Sequence, residues 1–317
     1  MSDTEPNSAT PPNRVKNSSA RLMRLATYAS VSVASILIFI KMGAWLATES
    51  VSLLSSLVDS MLDVGASIVN LIAVRHALQP ADHDHRFGHG KAEALAGLAQ
   101  AAFIAGSGAF LLLESVGRFI QPQEVSNSET GITVMIIAII MTLLLVGFQT
   151  YVVKKTGSVA ISADSLHYRA DILVNLAVIV SLVLAANLQW HVADPVFAIL
   201  IVAYMSIGAF KIAEQSLDVL MDKEFPEAER WRIKEIAESH DKVINVHDMR
   251  TRSSGATSFI QFHAEMPKHI SLAEAHDIAD EMKTYSVSAE SKNSTYTNEY
   301  YSNSICGKKV VLIITTV

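Results

Sequence analysis

Six long apolar segments limit what this chain can fold into more than any other feature of its sequence. They cover residues 25–46, 51–75, 92–119, 131–153, 159–188 and 195–217. A bilayer core of about 30 Å needs about 20 apolar residues per helix, and a helix satisfies its own backbone hydrogen bonds in lipid. The sequence therefore predicts a polytopic α-helical membrane protein with six transmembrane helices, which has the lipid bilayer as a partner.

The overall composition agrees with a membrane protein and excludes several other classes. Only 18% of the 317 residues are charged, against roughly 25% in soluble domains. The net charge of −6 gives no basic surface for a nucleic acid partner. Because Cys306 is the single cysteine, the chain can form neither an intrachain disulfide nor a Cys-rich zinc site.

Basic residues mark the cytoplasmic side of the membrane, because Lys and Arg concentrate in cytoplasmic loops. They precede the first segment, follow the sixth, and lie between segments two and three and between four and five, whereas the opposite loops hold acidic residues and no Lys or Arg. We therefore expect a multi-pass membrane protein with both termini cytoplasmic. Residues 1–20 are polar and rich in Pro, Ser and Asn, and are predicted to be a disordered cytoplasmic terminus.

The region after residue 221 has the pattern of a soluble α+β domain, predicted over 222–284. It begins with an amphipathic helix that has Pro226 at its first helical position. Two alternating segments, KVINVHDMRTR and TSFIQFHAEM, predict strands separated by SSGA. A capping box from Ser271 to Glu274 then predicts a second helix. Residues 285–317 form an atypical tail, polar and aperiodic until the apolar strand-like VVLIITTV.

Carboxylates and an imidazole occur at helical spacing inside two of the apolar segments. Asp59 and Asp63 lie four residues apart in the second segment, and His167 and Asp171 lie four residues apart in the fifth, with Asp164 in the turn before them. Residues four apart differ by about 40° around a helix axis, so each pair shares a face. Arg169 is predicted to point away and to extend toward the cytoplasmic interface.

The depths of these residues indicate that the two faces meet near the middle of the bilayer. At about 1.5 Å per residue, Asp59 and Asp63 lie roughly 12 and 18 Å from the outer end of their segment. Asp171 and His167, on a segment that runs the opposite way, lie about 14 and 20 Å from the same surface. Three carboxylates and one imidazole can therefore converge.

A buried group of acids needs a compensating partner, because each Asp at mid-membrane costs roughly 2.5–3.5 kcal/mol. No Lys or Arg is expected on these faces at that depth. One imidazole nitrogen and three carboxylate oxygens form a four-coordinate shell that Zn²⁺ accepts, whereas Mg²⁺ and Ca²⁺ prefer oxygen ligands alone. The alternatives are protonated acids that hydrogen-bond between helices, or a second segment that is a soluble helix. The matched pairs favour the metal site.

Residues 22–284 resemble the cation diffusion facilitator family, and in particular its bacterial zinc and ferrous-iron efflux branch. The resemblance depends on D-x-x-x-D at Asp59 and Asp63, H-x-x-x-D at His167 and Asp171, and the loop PADHDHRFGHGKAEAL. The segments VHDMRTRSSG and FIQFHAEM add to it. The resemblance implies that the four residues form the transport site, and that the domain after the membrane segments is ferredoxin-like, similar to a metallochaperone.

The same resemblance implies two further metal sites. Asp82, His85 and His89 match a second site in the loop between segments two and three, where His83 and Asp84 are spare ligands. His247, His263 and His276 match positions of a binuclear zinc site in the cytoplasmic domain. That site also uses a His and an Asp from a last strand, and nothing after Thr284 supplies an H-x-D. We therefore expect the domain to be incomplete at its C-terminus and its dimer contacts to be weakened.

The function implied by the resemblance is export of divalent transition metals in exchange for protons, by alternating access around the midplane site. Zn²⁺ is the favoured cargo, with Fe²⁺, Cd²⁺ and Mn²⁺ as others, and bound Zn²⁺ is also a structural or regulatory ligand. The protein is expected to be a homodimer and a secondary transporter, not an enzyme. Lys91 has two interpretations of equal weight, a pairing with Asp218 or Asp222 and the ordinary placement of a basic residue on the cytoplasmic side. A passive metal channel and a metal-sensing membrane receptor remain as alternatives, whereas a zinc protease would need an H-E-x-x-H helix, which the chain lacks.

Overall fold

The computed structural model has a helix in each of the six apolar segments. It describes residues 12–48, 51–120, 129–188, 193–255, 257–279, 281 and 309–316. The helices are α1 (Pro12–Thr48), α2 (Val51–Ala77), α3 (Lys91–Ile120), α4 (Glu129–Thr156), α5 (Val159–Leu188) and α6 (Ala193–Leu220). Every predicted segment lies within one of these helices, so the predicted six-helix architecture is confirmed.

The six helices differ in how closely they match a plain membrane span. Among the described residues, five helices are long and apolar enough to cross a membrane by length and composition, namely α1, α2, α3, α4 and α6. Helix α5 has Asp164, Arg169 and Asp171 in its first half. The ionisable residues that mark α5 as a functional helix therefore also make it the least typical span.

Helix α1 begins earlier than the sequence analysis expects. It starts at Pro12, so residues 12–20, predicted to be disordered, are helical; residues 1–11 lie outside the described residues. Proline is favoured at the first helical position, where no backbone N–H is needed. Since extending an existing helix costs much less than starting one, the long apolar part of α1 allows its polar first turns to continue the same helix.

Close packing of α3, α5 and α6 holds α5 in place. Their shared apolar core includes Ala101, Ile104, Ala163, Leu166, Ile201 and Met205. Gly208 of α6 lies so close to α5 that a Cβ atom there would be 2.5 Å from Cδ2 of Leu166. Small residues allow helices in a membrane to approach in this way. Because Leu166 directly precedes His167 on α5, the packing of α6 against Leu166 also fixes the position of His167.

The cytoplasmic part of the chain forms an α+β domain, as predicted. Helix α7 (Glu227–Glu238) precedes strands β1 (Asn245–Ser254) and β2 (Thr257–Glu265), and helix α8 covers residues 272–279. Pro226 is the N-cap of α7, one position before the predicted one. The N–H of Glu274 donates to Oγ of Ser271 at 3.2 Å, which is one half of the predicted capping box.

A third strand, β3 (Lys309–Thr316), completes a sheet of order β1-β2-β3. It pairs parallel with β2, whereas β1 and β2 are antiparallel. The order helix-strand-strand-helix-strand follows, with α8 in the connection between the parallel strands. Thr315 is the partner of His263 in the register. The tail therefore supplies a strand but no metal-binding side chain at that position.

The chain divides into two compact units. One is Met23–Met221, and the other contains Asp222–Val317. The division after residue 221 coincides with the predicted end of the membrane domain. The core of the cytoplasmic unit is apolar and includes Val246, Phe262, Ala275 and Ile278.

Candidate metal sites

Three of the four predicted transport residues converge between α2 and α5. Nε2 of His167 lies 2.9 Å from Oδ1 of Asp63 and 3.7 Å from Oδ2 of Asp171. One ligand atom from each residue fits within 4.8 Å of the other two. Asp63, His167 and Asp171 are called the membrane cluster below. Two carboxylates and an imidazole at this separation can bind one divalent cation.

Asp59 is the predicted ligand that this arrangement leaves outside the cluster. It lies one helical turn before Asp63 on α2, and its side chain is exposed on the single chain. A separation of four residues gives about 6 Å of rise and 40° of rotation. The rise of one turn along α2 therefore separates Asp59 from the level at which Asp63 meets His167.

His167 is held in place by its surroundings. The residue is only 5% exposed, and its ring contacts Phe103 of α3 edge to face with a centroid distance of 5.7 Å. Edge-to-face contacts between aromatic rings are favourable and directional. Phe103 therefore helps to fix the imidazole plane that presents Nε2 to Asp63. The sequence pattern does not identify this contact, because it joins two distant helices.

A lysine from α1, outside the two faces on which no Lys or Arg is expected, lies near the acidic residues. Nζ of Lys41, on α1, donates to Oγ of Ser60 at 2.7 Å and to the carbonyl oxygen of Ser56 at 3.2 Å. Ser60 lies between Asp59 and Asp63 on α2. Lys41 reaches α2 from α1, so the residue pattern of the second and fifth segments contains no signal for this contact.

Two other charged residues of α5 form hydrogen bonds with helices other than α2. Arg169 donates to Oγ1 of Thr150 on α4 at 2.8 Å, so it turns away from His167 as predicted but binds a neighbouring helix instead of extending to the interface. Asp164 is buried and accepts hydrogen bonds from Ser30 and Gln149. It therefore belongs to a different polar network of the membrane unit.

Asp82, His85 and His89 form a second compact group, called the loop cluster below. One ligand atom from each lies within 4.8 Å of the others; Oδ1 of Asp82 is 3.5 Å from His85, and Oδ2 is 3.3 Å from Nε2 of His89. Asp82 accepts a hydrogen bond from the N–H of His85 at 2.6 Å. This bond lowers the pKa of the Asp82 carboxyl, which favours the charged form that binds metal.

The loop cluster has one neighbour that the sequence analysis did not consider. The ring of His76, in the last turn of α2, lies 4.5 Å from the ring of His89. Nδ1 of His89 is buried without a hydrogen-bond partner, and such a group is costly unless a ligand binds it. The spare residues His83 and Asp84 are exposed and interact with each other at 3.4 Å.

The predicted cytoplasmic ligands are only partly brought together. His247 and His263 are partners across β1 and β2, with ring centroids 5.4 Å apart, and Nδ1 of His247 is 3.4 Å from Glu265. His276 is exposed on α8. Within the described parts of the chain, the membrane and loop clusters are the two groups of three or more ligand residues.

Lys91, at the start of α3, contacts the end of α6. Its Nζ donates to the carbonyl oxygen of Leu220 at 3.2 Å. Carbonyl groups at the C-terminus of a helix carry partial negative charge and have no partner within the helix. Lys91 thus contacts the backbone of α6, and its pairing with Asp218 or Asp222 stays a prediction.

Comparison with known proteins places the chain in a family. The cation efflux transmembrane domain matches residues 27–221, and the cytoplasmic domain of cation efflux proteins matches residues 225–285. The cation-efflux pump FieF of Shewanella oneidensis is 48% identical over 258 residues, which cover 81% of this chain and 87% of that protein. The FieF proteins of Salmonella choleraesuis and Salmonella typhimurium are each 46% identical over 263 residues, 83% of this chain and 87% of theirs.

The chain therefore belongs to the cation efflux family. It is a multi-pass protein of a bacterial inner membrane, and it is a transporter, not an enzyme. The recognised resemblance to cation diffusion facilitators is thereby confirmed, together with the fold that it implies.

Proposed function

We propose that this protein exports Zn²⁺ from the cytoplasm in exchange for protons, and that the membrane cluster binds the exported ion. The observation that carries the proposal is the convergence of Asp63, His167 and Asp171 within 4.8 Å of one another on two helices that cross the membrane. Charged groups in this position are costly unless a cation or a proton compensates them.

The ligand types favour Zn²⁺ as the cargo. Imidazole nitrogen suits zinc and other transition metals, whereas sites of carboxylate oxygens alone suit Mn²⁺ and Mg²⁺. Fe²⁺, Cd²⁺ and Mn²⁺ are weaker candidates for the same three ligands. Asp59 completes a four-ligand shell when α2 turns toward α5, and alternating access between the two sides of the membrane supplies such a movement.

Protons compete with metal for these ligands, because Asp and His bind a metal in their deprotonated forms. A proton that enters from outside therefore displaces the metal, and the inward proton gradient drives export. A passive channel with the same ligands would move the metal only down its own gradient. A metal-sensing receptor would bind without net flux.

We propose two further roles for zinc, both outside the membrane. The loop cluster binds a second ion that stabilises the connection between α2 and α3. The cytoplasmic domain holds two chains together as a homodimer, and zinc bound near His247 and His263, with His276 as a further ligand, has a regulatory role. Without a ligand pair from β3, this cytoplasmic site is weaker than a complete binuclear site.

Proteoliposomes test the transport proposal. With equal Zn²⁺ on both sides and an imposed pH gradient, the antiporter accumulates Zn²⁺ on the acidic side, and a channel or receptor does not. Asp63→Asn, which keeps the shape of the side chain but removes its charge, abolishes this accumulation. Asp241→Asn, a change at an exposed cytoplasmic carboxylate, leaves it intact. Equal accumulation by the two variants would contradict the assignment of the site.

A further inference from the structure

A buried carboxylate outside the membrane cluster has neutral hydrogen-bond partners. Asp164 is only 1% exposed. Its Oδ2 accepts hydrogen bonds from Oγ of Ser30 on α1 at 2.6 Å and from Nε2 of Gln149 on α4 at 2.7 Å. No Lys or Arg within the described ranges forms a salt bridge with it. A buried charge that has only neutral partners is poorly compensated.

Two oxygen atoms of this group lack a hydrogen-bond donor. Oδ1 of Asp164 and Oε1 of Gln149 are both buried and both unpaired, and Gln149 has no exposed surface. These two side chains already contact each other through their other polar atoms. Each of these oxygens is an acceptor that lacks a donor. A proton bound by Asp164 removes its charge and turns one acceptor into a donor.

A chain of hydroxyl groups continues from Asp164 to α2, and it consists of Ser30, Ser67 and Tyr168. Oγ of Ser30 lies 3.2 Å from Oγ of Ser67, which lies 2.8 Å from the hydroxyl of Tyr168. Oγ of Ser30 also lies 3.3 Å from that hydroxyl. All three residues are at most 2% exposed. The hydroxyl chain thus links three helices without contact with solvent.

The hydroxyl chain is compatible with two protonation states of Asp164, because each hydroxyl has one hydrogen to donate. When Asp164 is ionised, Ser30 donates to it, and Ser67 and Tyr168 donate along the chain toward Ser30. When Asp164 is protonated on Oδ2, it donates to Ser30, which then donates to Tyr168. The same heavy-atom positions therefore serve a charged and a neutral carboxyl.

Asp164 lies between the membrane cluster and the cytoplasmic end of α5. It lies five residues after the start of α5 at Val159, or about 8 Å along the helix axis, and α5 enters from the predicted cytoplasmic side. Ser67 lies one turn beyond Asp63 toward the same side. The hydroxyl chain and Asp164 therefore occupy the space between the membrane cluster and the cytoplasm.

Within the part of the chain that the structure describes, the charged neighbours of Asp164 lie on two helices. They are Asp63 on α2 and His167 on its own helix, and the phenol of Tyr168 also faces it through the hydroxyl chain. Helices α1 and α4 present the neutral Ser30 and Gln149. Helices α3 and α6 pack on the other side of α5 through apolar residues such as Ala101 and Met205. None of the direct hydrogen-bond partners of Asp164 is a proposed metal ligand.

We propose that Asp164 is a separate proton-binding site of the membrane unit, which takes up and releases a proton through the hydroxyl chain during transport. The inference rests on the proposed proton coupling for its role in transport. The protonation of Asp164 itself can be measured independently of transport.

Infrared difference spectroscopy of the purified full-length protein tests the proton site directly. As the pH is lowered, the wild type gains a carbonyl band of a buried carboxylic acid. The component of this band that belongs to Asp164 persists in Asp63→Asn, disappears in Asp164→Asn and returns at a shifted frequency in Asp164→Glu. A spectrum that Asp164→Asn leaves unchanged, or an Asp164 carboxyl that stays in one state over the whole pH range in which the protein is folded, overturns the proposal.

Transport measurements then separate this proposal from the proposed function. In proteoliposomes that contain a pH-sensitive dye, Asp164→Asn moves fewer protons per Zn²⁺ than the wild type, while its equilibrium affinity for Zn²⁺ is unchanged. Thermal unfolding of the variant shows whether it is folded, and Asp164→Glu restores the proton count. An unchanged count in folded Asp164→Asn overturns the proposal. No proton movement in the wild type would instead refute the antiport, and the infrared band would still report on Asp164.

Discussion

The membrane cluster and the loop cluster use the same ligand types in opposite surroundings. Asp63 and His167 are separated by 104 residues along the chain, with side chains 23% and 6% exposed. The loop cluster comes from eight consecutive residues, and the side chains of His85 and Asp82 are 61% and 53% exposed. In the membrane a carboxylate needs a cation or a proton, whereas water solvates it in the loop. Burial therefore makes metal binding essential in one cluster and optional in the other.

The largest expected difference comes from removal of one carboxylate from each cluster. Asp63→Ala abolishes Zn²⁺ transport, because it removes a ligand and leaves His167 and Asp171 without their partner on α2. Asp82→Ala keeps most of the transport rate, since water and neighbouring side chains replace the lost ligand. Stopped-flow flux in proteoliposomes measures both. If the two variants lost transport equally, the contrast between the clusters would be wrong.

A change of ligand type in the membrane cluster alters the choice of metal. His167→Asp makes the cluster all-carboxylate, which favours Mn²⁺ over Zn²⁺. We expect the ratio of Zn²⁺ to Mn²⁺ transport to fall at least about tenfold, in line with the effect of altered metal surroundings on affinity. Competition between the two metals in the flux assay gives this ratio. His85→Asp in the loop cluster serves as the matched change and leaves the ratio unaltered.

Helix packing affects the membrane cluster and not the loop cluster. Gly208→Ala places a Cβ atom 2.5 Å from Leu166, and overpacking of this kind costs about 1–3 kcal/mol. The shift of α5 displaces His167 and slows transport several-fold. Gly106→Ala on α3 meets no atom within 4 Å, so it is the control. Transport by Gly208→Ala at the rate of Gly106→Ala would show that the position of α5 is not critical.

The loop cluster itself is expected to lose metal with little effect on flux. His89→Ala removes the buried ligand and weakens binding of Zn²⁺ at the loop by about 10–100-fold. Isothermal titration in the background of Asp63→Ala isolates this site from the membrane cluster. If His89→Ala alone lowered the transport rate as far as Asp63→Ala does, the loop would deliver the metal to the membrane cluster.

The smallest expected effect is the pH response of the loop. The pKa of Asp82 is lowered from 3.8 by the hydrogen bond from the N–H of His85. The folded loop thus gains stability from the ionised carboxylate above that value and loses it as the pH falls through the lowered pKa. Amide exchange of His85 should not respond to Asp82 between pH 7 and pH 5. Asp82→Asn should increase the exchange already at neutral pH.

The sequence predicts the parts of this molecule that depend on spacing within one helix. The pairs at Asp59 and Asp63 and at His167 and Asp171 locate the faces of α2 and α5, since four residues nearly complete a turn. The position of Asp59 outside the membrane cluster and the contact of Lys41 with α2 depend on the rotation and tilt of neighbouring helices. The periodicity of one helix contains no information about either.

The cytoplasmic domain and the loop cluster show the same difference between local and distant contacts. The capping residue Ser271 and the alternation of β1 and β2 are local signals, and the structure has both. The pairing of β3 with β2, and the closeness of His76 to His89, join segments that no local pattern connects. Sequence reasoning finds residues with the right chemistry, and only the fold shows which of them meet.

X-ray absorption of bound zinc tests the central claim most directly. In a variant with His85, His89, His247 and His263 each changed to alanine, the protein should bind one Zn²⁺ with oxygen ligands and a single imidazole, and this zinc should be lost on addition of Asp63→Ala. A shell with several imidazoles, or zinc that remains after Asp63→Ala, would contradict metal binding between α2 and α5.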